Sequence, residues 1–270
     1  MARFRPVTHG VWSVTAMKWF SLLSLTACAG ASAFPKLDAS SSPDRDAAAE
    51  FRDAAIGAMP DAMPDAAGSA SPYRHTITID GFDDFVAAEQ FTTTSSPTYS
   101  AKLSWDDDHL YLGYHGDDFV TGSATKWVFA YLDVDPGAAT GAAASQTYNT
   151  QSATLPVGFG AEYYLRHKTD NTLTSLQMWN GTVWVATAVT PVGLQSNGYF
   201  EMSIPRAALG SPARLGLTTW MINEGNNVES TYAGLYTGNF TDGYAANLTT
   251  YASIDFASAR PPNDVANRIP

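Results

Sequence analysis

Residues 99–114 read Tyr-Ser-Ala-Lys-Leu-Ser-Trp-Asp-Asp-Asp-His-Leu-Tyr-Leu-Gly-Tyr, and this stretch decides the fold class. Its apolar side chains occupy every second position before the aspartates at 106–108 and again after them. Alternation with a period of two is typical of a strand that buries one face. The stretch therefore predicts a β-hairpin that turns at the three aspartates and contributes Trp, Leu and Tyr side chains to a core.

Similar short segments follow along the rest of the chain. They are residues 73–80, 126–135, 161–167, 173–179, 182–188, 199–205, 214–223, 228–236 and 249–256. The segment 126–135 is apolar on both parities, which is typical of a central strand or of one with a face in a binding site. Asn180-Gly181 favours a type I′ turn between two segments, because both residues tolerate positive φ. About ten such strands predict an all-β fold, an antiparallel, jelly-roll-like β-sandwich.

The N-terminal residues indicate export. Residues 17–28 read Met-Lys-Trp-Phe-Ser-Leu-Leu-Ser-Leu-Thr-Ala-Cys, with a charged start, a short apolar run and a Leu-Thr-Ala-Cys box. This pattern resembles a bacterial lipoprotein signal peptide over residues 1–28, with Cys28 as the lipidated residue, and its apolar run is too short to span a bilayer. Two alternatives stay open: a secretory signal cut near residues 27–29 or after residue 33, and a true start at Met17 instead of Met1.

Residues 29–71 are predicted to be a disordered linker. They are rich in Ala, Ser, Asp and Pro, and Met-Pro-Asp-Ala at 59–62 recurs at 63–66. A segment with so little apolar periodicity buries too little surface to offset the entropy of ordering it. The folded domain is then 72–258 and the C-terminal tail 259–270. We expect a lipid anchor at the cell envelope, facing outward, with the outer membrane favoured over the inner.

Charge and cysteine content narrow the classes of partner. The formal net charge is −11, and loss of the three basic residues before Cys28 would bring it to about −14. A chain this acidic repels phosphate backbones, so no nucleic-acid partner is expected. One cysteine in an exported chain leaves no disulfide, so the core must hold the fold.

Five motifs occur along the folded part in a fixed order. They are Ile79-Asp80-Gly81 with Asp83-Asp84-Phe85, Trp105-Asp106-Asp107-Asp108-His109-Leu110-Tyr111, Leu132-Asp133-Val134-Asp135, Ser203-Ile204-Pro205 with Ala207-Ala208-Leu209-Gly210, and residues 216–223. In this order they resemble the family 9 carbohydrate-binding modules and their DOMON-like relatives, over residues 74–256. The resemblance implies a β-sandwich that binds sugars on one concave sheet face, usually with bound calcium.

The chain departs from that family at its ligand face. The position of a family glutamate is Phe129 here, and other polar positions of the face fall on Tyr164, Arg166 and Trp220. The late tryptophan that stacks on sugar is replaced, at best, by Tyr244. The resemblance therefore implies a face rich in aromatic side chains, without the polar set of the best-known members.

An aromatic sheet face suits a saccharide, because sugar C–H groups pack on aromatic rings while the hydroxyls need a few polar partners. The predicted ligand residues are Trp127, Phe129, Tyr131, Tyr164, Arg166, Trp220, Asn223 and Tyr244, with Glu162 as a further hydrogen-bonding group. The alternative is that these aromatics are core residues of a two-sided sheet. The sequence thus predicts a non-catalytic, surface-anchored lipoprotein that binds a polysaccharide or oligosaccharide.

Asp133 and Asp135, followed by Gly137 and Thr140, predict a calcium site. Hard cations bind clustered carboxylate and carbonyl oxygens on a bent loop. The spacing matches only the first half of a calcium loop, since no closing glutamate follows. The alternative is a turn that ends the strand with solvated carboxylates.

Two further functions remain as alternatives. A DOMON-like haem or redox carrier needs a Met and a His at one pocket, and the candidates are Met178, Met202 and Met221 with His115 or His167. A structural or adhesive lipoprotein needs no ligand and predicts a closed face. We do not expect an enzyme, because none of the five histidines lies in a recognisable motif with a nucleophile.

Overall fold

The computed structural model describes residues 70–138, 140–225 and 230–270, which form fifteen short strands and one short helix. The all-β sandwich is confirmed, with more strands than the ten expected because several are only two or three residues long. The predicted signal peptide, the predicted lipidation site Cys28 and nearly all of the predicted linker lie outside the described residues. No helix in the described part of the chain is long and apolar enough to cross a membrane.

The strands are β1 (Gln90–Thr92), β2 (Ser100–Trp105), β3 (His109–His115), β4 (Lys126–Asp133), β5 (Ala153–Thr154), β6 (Tyr163–Lys168), β7 (Thr174–Trp179), β8 (Trp184–Ala186), β9 (Val192–Ser196), β10 (Tyr199–Pro205), β11 (Arg214–Asn223), β12 (Ser230–Tyr232), β13 (Ala246–Asn247), β14 (Tyr251–Asp255) and β15 (Arg268–Ile269). The helix α1 spans Asp118–Thr121, and 3-10 turns span Ala87–Glu89, Arg206–Leu209 and Val265–Asn267.

Two antiparallel sheets make up the sandwich. The first sheet has the order β1-β2-β3-β10-β9, and the second has β15-β14-β11-β4-β6-β7-β8, with β12 beside β11. The predicted hairpin is β2–β3, where Leu103 lies opposite Leu112 and Trp105 opposite Leu110. β4 is central in the second sheet, between β11 and β6, as its two-sided apolar pattern predicted.

The main core lies between the two sheets. Fully buried side chains of the first sheet, such as Leu103 and Met202, belong to one cluster with Leu132, Leu165 and Leu217 of the second. This is the set that alternation assigned to one face of each strand, because side chains on a strand point to opposite faces in turn. The other faces of both sheets are available to further segments of the chain.

The outer face of the first sheet is covered by residues 73–86. They were predicted to begin with a strand over 73–80, but they make no sheet ladder. Ile77 and Phe85 instead pack on Tyr111 and Tyr199, and the buried carboxylate of Glu201 accepts hydrogen bonds from two backbone amides of the segment. Side chains of the sheet and isolated backbone hydrogen bonds, such as the one from the His75 amide to the Trp105 carbonyl at 2.9 Å, therefore satisfy this segment without a ladder.

Residues 142–161 cover the outer face of the second sheet. The Ala, Ser and Thr content of residues 141–158 predicts a long loop, but the segment folds back on itself, with Ala142 bridged to Ala161 and Ala144 to Thr154. Its two arms meet at Gly141 and Gly160, where a Cβ added to Gly160 would lie 1.9 Å from the Thr140 carbonyl oxygen. Only glycine permits this close approach.

Two other predictions are corrected. Trp179 pairs with Trp184, so the turn between β7 and β8 has four residues and not the two of a type I′ turn. The Asn180 side chain accepts hydrogen bonds from two backbone amides of that turn, an arrangement that Asn favours in turns. The segment 259–270 is not a free tail, because β15 pairs with β14 and extends the second sheet.

A buried histidine links the two sheets. His167 on β6 has no exposed surface, and its Nε2 lies 2.8 Å from Gln195 Oε1 on β9. Gln195 Oε1 can only accept, so Nε2 carries the proton, and Nδ1 accepts from the Thr174 hydroxyl at 2.8 Å. Burial lowers the pKa of His167 to about 4, so the folded protein keeps this imidazole neutral.

We predict that His167 lowers the free energy of unfolding as the pH is reduced from 6.5 towards 4, whereas the raised pKa of the Asp133 carboxyl acts in the opposite direction over this range. The unfolded histidine binds a proton in this range and the folded one does not, so the loss from this residue reaches up to about 3 kcal/mol. Urea denaturation of the wild type and of His167→Gln at several pH values measures this loss of stability. The variant is expected to lose less stability over this range, and equal losses would contradict the prediction.

Candidate functional site

The predicted ligand aromatics lie together on the outer face of the second sheet. The Tyr131 ring is stacked between Trp220, at a centroid distance of 4.7 Å, and Tyr164, at 5.0 Å. Phe129 contacts both Tyr164 and Trp220, and Trp127 lies two residues before it on the same strand. The sequence therefore identified correctly which rings share a face.

This face is closed, although we predicted that it would be open to solvent. The five rings are only 1–3% exposed, because residues 142–161 lie across them. Leu155 and Phe159 are buried in the same cluster, and Tyr148 packs at its margin. Ala, Ser and Thr dominate the segment, and this composition predicts a loop. Leu155, Phe159 and Tyr148 nevertheless pack over the rings and cover the sheet. As the chain is folded here, the rings are core residues.

The three other predicted ligand residues lie at the edge of this covered face. Arg166 Nε donates to the Ser175 hydroxyl at 2.9 Å. The Asn223 side-chain oxygen accepts from Thr125 Oγ1 at 3.1 Å, so it is engaged within the protein. Tyr244 is half exposed, and its hydroxyl donates to Thr150 Oγ1 at 2.7 Å.

An acidic triad lies beside the base of the covering segment. Asp133 ends β4, Asp135 follows in the turn, and Glu162 directly precedes β6, the strand that pairs with β4. Each offers a carboxylate oxygen, and these oxygens lie within 4.8 Å of one another. Glu162 supplies the third carboxylate that the sequence did not find near Asp133 and Asp135.

Neutral donors surround the triad. Asp133 accepts from the Gly160 amide at 3.1 Å and Glu162 accepts from the Val134 amide at 3.0 Å. Thr140 Oγ1 lies 2.8 Å from both Asp135 oxygens and 3.0 Å from Glu162 Oε1. Within the described ranges, no ion pair joins the triad to a Lys, Arg or His side chain.

The electrostatics of the triad favour a bound cation. Burial, with the neighbouring charge of Asp135, raises the pKa of Asp133 to about 6. The pKa of Glu162 is also raised, by burial and by the charges of Asp135 and Asp133. Clustered carboxylate oxygens are the ligands that Ca²⁺ prefers, and a cation would remove the mutual repulsion. A Cβ added at Gly137, by contrast, would meet no atom within 4 Å.

A cleft of about 470 Å³ opens next to the triad. It is lined by Asp135, Thr140, Gly141, Glu162, Trp179 and Gly181. The Trp179 ring lies 5.3 Å from that of Trp184, which in turn contacts Tyr164 at 4.8 Å. The cleft therefore combines carboxylates with one end of the aromatic cluster.

Trp179 and Trp184 were not predicted as site residues. They lie in the segments 173–179 and 182–188, which the sequence predicts only as strands of a hairpin. Glu162 was assigned to hydrogen bonding and not to the metal. Its role depends on the register of β4 and β6, which no local pattern encodes.

The histidines and methionines proposed for haem do not form an axial pair. Both nitrogens of His167 are hydrogen-bonded within the protein, and Met202 and Met221 are buried in the core between the sheets. Met178 is 37% exposed on β7, and His115 is exposed at the end of β3. Nothing in this arrangement favours the haem alternative.

We predict that Ca²⁺ raises the melting temperature of the protein and that Asp133→Asn removes this shift. A cation that binds only the folded state stabilises it, and the variant loses a charged ligand. Without calcium, the variant should be at least as stable as the wild type, because it loses a repelled, buried charge. Differential scanning calorimetry with and without EDTA measures both effects, with the exposed Asp108→Asn as control. Equal calcium shifts in Asp133→Asn and the control would contradict the prediction.

Comparison of the chain with models of protein families, with curated proteins and with solved structures gives no match. The resemblance to family 9 carbohydrate-binding modules therefore rests on the sequence motifs alone. The function has to be inferred from the cleft, the triad and the aromatic cluster themselves.

Proposed function

We propose that this protein is a non-catalytic carbohydrate-binding protein that binds a polysaccharide or oligosaccharide in the cleft beside the acidic triad. The observation that carries the proposal is the convergence of Asp135 and Glu162, two carboxylates of the triad, with Trp179 on one cleft of about 470 Å³. The binding site is thus displaced from the sealed sheet face to the groove at its side.

The residues of the cleft provide the two kinds of contact that a sugar needs. Trp179 is partly exposed and offers an aromatic surface for sugar C–H groups. Asp135 and Glu162 offer acceptors for hydroxyl protons, and Ca²⁺ held by the triad would take sugar hydroxyl oxygens as further ligands. Both the calcium and the saccharide are part of the proposal.

The proposed location follows from the N-terminal sequence. A lipid on Cys28 would anchor the protein at the cell envelope, and residues 29–71 would hold the folded domain away from the membrane. An outward-facing domain on an acidic, extended linker is suited to reach insoluble glycans. The outer membrane is the favoured site of the anchor.

A structural or adhesive lipoprotein without a ligand is the second candidate. It is favoured by one observation, the burial of the whole aromatic face under residues 142–161. It predicts that neither calcium nor any glycan changes the stability of the protein, so the same measurements separate the two functions.

We predict that the full chain is retained in affinity gels or on glycan arrays and that Trp179→Ala weakens this binding by about ten-fold, since the variant loses the stacking surface. Phe82→Ala is the matched control, because Phe82 is 71% exposed but lies outside the cleft. EDTA should weaken binding by the wild type and the control alike. Absence of binding to all glycans tested, or an equal loss of affinity in the two variants, would contradict the proposal.

A further inference from the structure

The tip of the covering segment is a tight and strained hairpin. Tyr148 and Gln151 exchange both backbone hydrogen bonds, at 2.8 and 2.9 Å, across the two-residue turn Asn149-Thr150. These turn residues have φ values of 43° and 68°. Positive φ is tolerated by Asn but is unfavourable for a β-branched residue, so Thr150 holds the turn at a conformational cost. Residues 145–152, which include this turn, are called the flap below.

Few contacts hold the flap on the sheet. Tyr148 is its only large apolar residue, and its ring lies 5.0 Å from Trp127 and 5.6 Å from Phe129. Its hydrogen bonds beyond the covering segment include those from Gln146 to Tyr131, from Asn149 to Glu224, from Gln151 to Asn223 and from Tyr244 to Thr150. Such bonds contribute little net free energy, because water replaces them when the flap lifts.

The packing under the flap is incomplete. A void of about 10 Å³ lies between the flap and Phe129, Tyr131 and Trp220. The Gln151 side chain is only 2% exposed, and its Oε1 has no hydrogen-bond partner within the described residues. An unpaired buried carbonyl oxygen destabilises the closed position, because that oxygen is hydrated when the flap is open.

The other arm of the covering segment is firmly anchored. Leu155 and Phe159 are buried to at least 96% in the aromatic cluster, and β5 pairs with β13. The flap can therefore move while the anchored arm stays on the sheet.

The rings under the flap continue the aromatic wall of the cleft. From Trp179 the row runs to Trp184, Tyr164, Tyr131 and Trp220, with successive centroid distances of 5.3, 4.8, 5.0 and 4.7 Å. Beside this row, the Tyr148 ring covers Trp127 and Phe129.

We infer that the flap is displaceable, and that its opening extends the cleft along this row so that the protein binds a saccharide chain of several units. The inference rests on the proposed function, since it lengthens the same site. A short sugar would need only the cleft, whereas a long chain would first have to displace Tyr148. The affinity for a long chain is then reduced by the fraction of molecules whose flap is closed.

Two substitutions in the full chain shift the flap in opposite directions. Thr150→Gly creates Asn-Gly, the pair best suited to a turn with two positive φ values, and so favours the closed flap. The substitution removes the Thr150 hydroxyl, but the Tyr244 hydroxyl keeps the backbone carbonyl of residue 150 as an acceptor at 3.1 Å. Tyr148→Ala removes the one apolar anchor and favours the open flap. Titration calorimetry with di- and hexasaccharides of the cello-, xylo- and manno-series measures binding, and acrylamide quenching of tryptophan fluorescence without sugar measures opening.

We expect Thr150→Gly to weaken hexasaccharide binding by about two- to five-fold and Tyr148→Ala to strengthen it, with disaccharide binding unchanged. Quenching should increase from Thr150→Gly through the wild type to Tyr148→Ala. Leu155→Ala is the control, and it should lower stability without strengthening binding. If Thr150→Gly changes neither quenching nor hexasaccharide affinity, the flap is a fixed part of the core and the inference is wrong. If no disaccharide binds but quenching follows the expected order, the proposed carbohydrate-binding function is wrong, whereas the displacement of the flap is supported.

Discussion

The burial of β4 on both faces is the constraint on which the rest of this structure depends. Both faces of β4 are apolar, and the outer face carries the large side chains of Trp127, Phe129 and Tyr131. Packing against the other sheet alone would leave these three side chains in water. Each aromatic side chain loses on the order of 150–250 Å² of surface on full burial, and this area drives the chain to cover the second face. The sheet-to-sheet core covers one side and residues 142–161 cover the other.

Both sheets are covered in the same way, by an irregular segment whose backbone polar groups must be satisfied without a sheet ladder. Buried carboxylates provide that satisfaction at two places. Glu201 accepts from the amides of Asp80 and Gly81 on the first sheet, and Asp133 accepts from the amide of Gly160 on the second. The difference lies in the surroundings, because only Asp133 has two further carboxylates beside it. One buried carboxylate therefore satisfies part of the covering segment on each sheet, and on the second sheet two further carboxylates lie beside it.

The sequence predicted much of the fold, because alternation reports which side chains share a face. The hairpin of β2 and β3 and the central position of β4 follow from that periodicity, whereas the grouping of Trp127 with Trp220 was implied by the resemblance to a family. It does not report which distant segment will cover a face, so the exposure of the aromatic cluster was predicted wrongly. Glu162 was missed as a third carboxylate for a similar reason, since its position beside Asp133 is set by pairing across some thirty residues of chain.

The glycine pair at the base of the covering segment has an evolutionary consequence. A Cβ on Gly141 would lie 2.5 Å from Glu162 Oε1, and one on Gly160 would meet the Thr140 carbonyl oxygen. Replacement of either glycine would thus disturb the carboxylate cluster and the closure of the sheet in a single step. Selection for either property would preserve the other, so the two traits are expected to be inherited or lost together among descendants of this chain.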